Sequence, residues 1–201
     1  MSLSDPISQV IALSVQLARV KRRCGYWPRP AENDAEHSYQ LALTAWTANH
    51  AYDLHLDDTA ILKLALVHDL VEIYAGDVDA HSNKKRQMLK KMKEMEALKQ
   101  LQQAFPDLSE ITDVIKEYEK KESLESKLVN IIDKIIPIQH VYNRNDTYYK
   151  RRKVTKEDYR DWLLKKTDYV NLPRSLQNIV TDILQDVTTK YARVFFIEKS
   201  L

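Results

Sequence analysis

The chain reads as all-α, a helical bundle with its functional site held between central helices. Only two glycines occur in 201 residues, and apolar residues recur at helical spacing over long stretches. No segment shows a convincing strand-like alternation of apolar and polar residues. Hydrophobic residues make up 44% and charged residues 30% of the chain, enough for one sizeable core, so residues 1–201 are expected to form a single domain.

The formal net charge of +2 gives no general pull toward nucleic acid or a membrane surface. The single Cys24 cannot close an internal disulfide, and neither a secretory leader nor a run of about 20 apolar residues is visible. A cytoplasmic protein is the expectation.

Taken in order, Ile7, Val10, Ile11, Val15 and Ala18 mark a first amphipathic helix, with Ser4 or Asp5 as cap and Pro6 at its first position. Gly25, Pro28 and Pro30 then forbid a continuous helix. They leave a loop rich in guanidinium and aromatic groups (Arg22, Arg23, Tyr26, Trp27, Arg29), suited to hold a phosphate and stack a base or sugar. A second helix starts near Asn33 or Asp34, and its inward stripe is His37, Leu41, Thr44, Ala45 and Ala48.

The third helix, entered through Leu56–Thr59, carries Ile61, Leu64, Ala65, His68, Asp69 and Glu72 on one core-facing stripe. Gly76 is placed to end it in a left-handed cap, with Asp77 delivered just beyond. Burying ionisable groups costs several kcal/mol each, on the order of 3–5, unless they are paired or hold a cation. A lone histidine on an apolar face is usually a hydrogen-bonded core residue. Here an imidazole and three carboxylates converge, and they would repel one another without a positive partner, for which a divalent metal is the natural choice.

From Lys84 to Leu101 a further helix shows the stripe Met88, Met92, Met95, Leu98 and Leu101, its lysines lying largely elsewhere as a solvated basic face that also suits an anionic substrate. Phe105–Glu110 is a turn with Ser109 as cap, followed by a helix from Ile111 to Tyr118. Leu124–Pro137 is apolar on nearly every side and should be a central helix, with Asp133 its exception, either bound to something or paired with Lys127 or Lys134. Arg144–Thr155 reads as a polar loop, and helices from Thr155 and from Pro173 complete the chain.

His37, then His68-Asp69, then Asp133, each on a helix, resemble the HD-domain metal-dependent phosphohydrolases. Glu36-His37-Ser38, the stretch from Ala65 through Glu72 with Gly76-Asp77, and Glu117-Tyr118-Glu119 followed by Glu125 and Lys127 are closer to the 5'-deoxynucleotidases of that superfamily. The resemblance covers roughly residues 15–142, the helices at 155–196 packing on that core. It departs in the loop, where Tyr26 rather than arginine precedes Trp27, while Arg23 resembles the Arg-x-Gly-aromatic version.

The resemblance implies one divalent metal bound by His37, His68, Asp69 and Asp133, an N₂O₂ set that favours Mn, Co, Fe or Zn over Mg. His81 and His140 are the only spare histidines placed for a second ion. Glu72 and Asp77 would be the catalytic pair, Arg23 would clamp the phosphate and Trp27 would pack the sugar. The implied reaction is hydrolysis of (deoxy)nucleoside 5'-monophosphates by a homodimer, the dimer also suggested by apolar C-terminal helices. Alternatives are an HD-type phosphodiesterase or nucleotide pyrophosphatase, a non-catalytic nucleotide or metal sensor, and an RNA-binding helical module. The intact ligand set with Glu72 and Asp77 speaks against mere sensing, and no aromatics interleave the lysines as an RNA surface would need.

Overall fold

A computed structural model of the chain describes residues 6–22, 32–77 and 84–197, with side chains for all but 84 and 87. Among them there is no β-strand, only an antiparallel bridge between Lys21 and Asn33. Helix α1 (Pro6–Leu17) has proline at its first position, as expected. Its buried side, however, is Gln9, Leu13 and Leu17, whereas Ile7, Val10, Ile11 and Val15 are exposed. The helix carries apolar residues on two faces, and the one that packs meets Leu70, Val71 and Leu101.

Helix α2 (Asp34–Ala51) opens on a capping box: Asn33 Oδ1 accepts the Glu36 N–H and Glu36 Oε2 accepts the Asn33 N–H, each at 3.0 Å. Its inner face is Asp34, His37, Leu41, Ala45 and Ala48. Helix α3 (Asp58–Val67) is capped by the Asp57 carboxylate and followed by the single-turn α4 (Glu72–Ala75). On α5 (Lys84–Ala104) the expected stripe holds only at its C-terminal end: Leu101 is buried and Leu98 packs beside it, together with Ala97, while Met88, Met92 and Met95 are exposed.

After α6 (Ser109–Lys120) comes α7 (Leu124–Asn143), central as its composition implied. Leu128, Val129, Ile131, Ile138 and Val141 are fully buried on it, each contributing about 1.5–3 kcal/mol through burial alone. The helix continues through Pro137, which lacks the N–H that would have bonded the Asp133 carbonyl. The stretch expected as a polar loop forms the single-turn α8 (Tyr148–Arg151), and Tyr148 and Tyr149 are buried, Tyr149 stacked on Phe195 with centroids 5.1 Å apart. Aromatic burial there outweighs the surrounding polar composition.

Helix α9 (Lys156–Lys166) starts at a Thr155–Asp158 capping box, and α10 (Arg174–Thr188) turns Leu176, Ile179, Val180, Ile183 and Val187 inward. These join α2, α3 and α7 in one core cluster, while α1, Leu70 and Val71 ahead of α4, α5 and α6 enclose a second. The His68–Val71 turn lies between the two. Among the described residues no helix is long and apolar enough to cross a membrane.

Candidate metal centre

A break in the third helix builds the site. Its apolar stripe predicts a helix running on to Gly76, but α3 ends at Val67. The His68 N–H still bonds the Leu64 carbonyl at 3.1 Å; from there the ladder tightens, Leu70 N–H to Val67 O at 3.1 Å and Glu72 N–H to Asp69 O at 2.9 Å. Adjacent residues on a regular α-helix point about 100° apart. Here His68 and Asp69 converge, His68 Nε2 standing 3.0 Å from Asp69 Oδ2. Gly76 closes α4 with φ 72° as expected, but with ψ 151° the chain leaves extended rather than in the left-handed helical well.

His68 is 2% exposed, and its Nδ1 lies 2.9 Å from the Ala65 carbonyl, so Nδ1 carries the hydrogen. Nε2 is then a lone-pair donor facing a carboxylate oxygen, and it makes no hydrogen bond. Two such atoms at that distance are held together by positive charge between them, a proton on the ring or a metal ion in its place. His37, fully buried on α2, sets its ring centroid 5.5 Å from that of His68, its Nε2 3.1 Å from Asp133 Oδ1 and its Nδ1 without a hydrogen bond. One ligand atom from each of His37, His68 and Asp69 falls within 4.8 Å of the others. Asp133 borders this trio through His37, its other oxygen taking the Tyr118 hydroxyl at 3.2 Å and the Lys134 ammonium.

Protonation follows. Burial and Arg22 push His37 below the usual imidazole range, leaving it neutral as a ligand must be. Burial works against the ionised form of Asp69, but His68 and Arg22 outweigh it and hold the carboxylate well below its ordinary range. Asp133 is held low in the same way by Lys134 and His37 against its burial. For His68, burial opposes the charge, yet Asp69 and Asp133 raise its pKa: the pocket attracts positive charge.

Glu72 is 2% exposed, with Oε1 2.9 Å from Lys90 Nζ and Oε2 unpartnered. Burial and Asp69 push it well above the carboxylate range, against the pull of Lys90. Such a shift moves the group toward its protonated form. Asp77, half-buried, faces the same cavity of about 510 Å³, which also takes in Arg22, His68, Asp69, Glu72 and Lys90. Arg23 and Trp27 lie outside the described residues, as does His81. The ends of their segment are pinned, the Arg22 N–H to the Glu32 carbonyl at 3.0 Å and the Asp34 N–H to the Val20 carbonyl at 3.2 Å. His140 stands 3.5 Å from Glu32.

Three participants carry little or no signal in the sequence. Arg22 Nη1 lies 2.8 Å from Asp69 Oδ2 and 3.5 Å from Asp34 Oδ1, a guanidinium set into the carboxylates. Asp34, which the sequence marks only as a helix start, is fully buried and close enough to Asp69 and Glu72 for all three to share a cation. Burial and Asp69 push it up to about 7. Its place three residues before His37, on the same helical face, is the one available clue. Lys90 gives none, being one of many lysines on its helix.

The HD domain family profile matches residues 15–168. The chain is 34% identical over 129 residues to a Bos taurus protein named 5'-deoxynucleotidase HDDC2, covering 62% of this chain and 61% of that one. The Homo sapiens protein of the same name is 31% identical over 147 residues, covering 71% and 70%. The match thus spans somewhat under two thirds of the bovine relative. Among solved structures, a "predicted metal-dependent phosphohydrolase" from Magnetospirillum magnetotacticum MS-1 superposes with a TM-score of 0.76 at 23% identity, over 96% of this chain and 95% of that one.

Proposed function

Since the chain belongs to the HD domain family, we propose that it is a metal-dependent phosphomonoesterase hydrolysing (deoxy)nucleoside 5'-monophosphates to nucleoside and inorganic phosphate. The observation that carries the reading is the buried His68 Nε2 held 3.0 Å from Asp69 Oδ2, at a cavity that also takes in Glu72. The names of the bovine and human relatives support the substrate class.

His37, His68, Asp69 and Asp133 would hold one divalent ion. The mixed nitrogen and oxygen donors favour Mn, Co, Fe or Zn over Mg. When bound, the ion supplies Lewis-acid polarisation of a phosphoryl oxygen and acidifies water. Glu72 and Asp77 divide the proton work: one takes the proton of the attacking water, the other delivers one to the departing 5'-oxygen. The raised pKa of Glu72 suits the delivering role, and Lys90 fixes its Oε1 so that the unpartnered Oε2 is the working atom. Arg22, displaced from the carboxylates by the ion, would turn its guanidinium to the substrate phosphate beside Arg23. Trp27 would pack the sugar.

A homodimer in the cytoplasm completes the proposal. The C-terminal helices that suggested a dimer are taken up by the internal core, and the support comes instead from the exposed apolar residues of α1 and α5. The test is a screen of purified, metal-reconstituted protein against deoxynucleoside and ribonucleoside 5'-monophosphates, a dinucleotide and a generic phosphomonoester. Phosphate release fastest from the 5'-monophosphates is expected. Preferred cleavage of the dinucleotide, or no release from any of them, would overturn the reading.

A further inference from the structure

The cavity that holds the metal centre is also lined by lysines to which the proposed monophosphate hydrolysis gives no part. They are Lys121, Lys134, Lys165 and Lys166, with Tyr148 and Trp162 also lining it. These lysines come from the end of α6, from α7 and from the last turn of α9. Lys134 pairs with Asp133. Among the described residues Lys121, Lys165 and Lys166 have no carboxylate within ion-pair distance, Lys121 instead standing 5.2 Å from the centroid of the Tyr118 ring. Lys165 and Lys166 stand exposed at the mouth of the cavity, and Lys121 is half-buried.

Basic residues in a last helical turn are commonly explained by the helix's negative end, and the magnitudes decide how far that explanation reaches. The C-termini of α6 and α9 supply about half a negative charge each. With Asp133 and Glu119, which also lines the cavity, they leave about one of the four ammonium charges unmatched. Once Asp133 is committed to a metal ion, about two are unmatched. A nucleoside is neutral and relieves none of this charge. Asn130, 3% exposed, lines the same cavity, gives its Nδ2 to the Lys166 carbonyl and leaves its Oδ1 buried without a hydrogen bond.

We propose that these lysines bind a second phosphate group, so that the preferred ligand is a nucleotide carrying a phosphate besides the scissile one. The inference deepens the proposed function and rests on it for the scissile phosphate. The second phosphate is either contiguous, as in a 5'-diphosphate, or remote, as in a 3',5'-bisphosphate.

Both arms are tested by calorimetry on the metal-loaded full chain carrying Glu72→Gln, which slows turnover. Deoxyadenosine 5'-monophosphate, 5'-diphosphate and 3',5'-bisphosphate are compared at low ionic strength, alone and with Lys121→Gln/Lys166→Gln added. One of the two doubly phosphorylated nucleotides should bind about tenfold or more tighter than the monophosphate. The advantage should fall to about twofold or less with the two glutamines and be retained with arginine at both positions. Whichever ligand wins locates the second phosphate. Equal affinities for all three, or an advantage that survives the glutamines, would overturn the proposal. Wild-type turnover of the monophosphate, measured alongside, reports on the phosphohydrolase reading separately: lysine-dependent binding without turnover would sink that reading and keep the second-phosphate site.

Discussion

Asp34 offers the sharpest test of the site's electrostatics, because asparagine keeps its shape and cannot ionise. In the metal-free protein the Asp34 carboxyl is pushed up to about 7 from its ordinary 3.8, chiefly by burial and then by Asp69. A carboxyl whose pKa rises on folding keeps a proton that the unfolded chain has already released. Its contribution is therefore fully present below about pH 4 and lost as pH rises toward 7. A tenfold change in proton affinity corresponds to about 1.4 kcal/mol, so the loss across that window is about 4 kcal/mol. Asp69 and Asp133 move the opposite way, and their contributions are complete before the window opens. Both histidines are common to the two proteins and cancel in the difference. Urea unfolding of chelated wild type and Asp34→Asn between about pH 4.5 and 7 should show the variant gaining on the wild type by roughly 1 kcal/mol per pH unit. Parallel curves would refute the reasoning. Added Mn²⁺ should stabilise the wild type more at about pH 7 than at about pH 5, since a cation needs its ligands deprotonated.

Glu72→Gln should lower turnover of a nucleoside monophosphate by about 10²-fold with bound metal unchanged; loss of metal would make Glu72 a ligand instead. Elemental analysis should find the ion in wild type and little in His68→Ala or Asp133→Ala, and equal content in all three would remove the ligand assignment. Ile131→Ala, at a fully buried position of α7, should cost about 2–5 kcal/mol of unfolding free energy, and a loss under about 1 kcal/mol would show that α7 is not central to the core. Light scattering at tens of micromolar should give a dimer, and placing a lysine at Ile11 on the exposed face of α1 should weaken it; a monomeric wild type ends that idea.

Helical periodicity and the near absence of glycine were enough to determine an all-helical chain, and the starts read near Asn33 or Asp34, within Leu56–Thr59 and at Thr155 hold the caps Asn33, Asp57 and Thr155 because capping is a local hydrogen bond. The convergence of His37 with His68-Asp69 was also legible, since ionisable residues on apolar stripes must meet a partner. Where a helix has two apolar faces, as α1 has with Ile11 on one and Leu13 on the other, periodicity does not say which packs; that depends on the distant Leu70 and Leu101 that cover it. Nor could sequence show that α3 would tighten at His68, that Asp34 and Arg22 would enter the acidic cluster, or that Lys90 among its helix's lysines would reach Glu72. Those placements follow from how the helices cross, and helix crossing brings together charges as far apart in the chain as Arg22 and Asp69, 47 residues from one another. Local pattern fixes which groups are costly to bury, and only the tertiary arrangement selects the partners that make their burial tolerable.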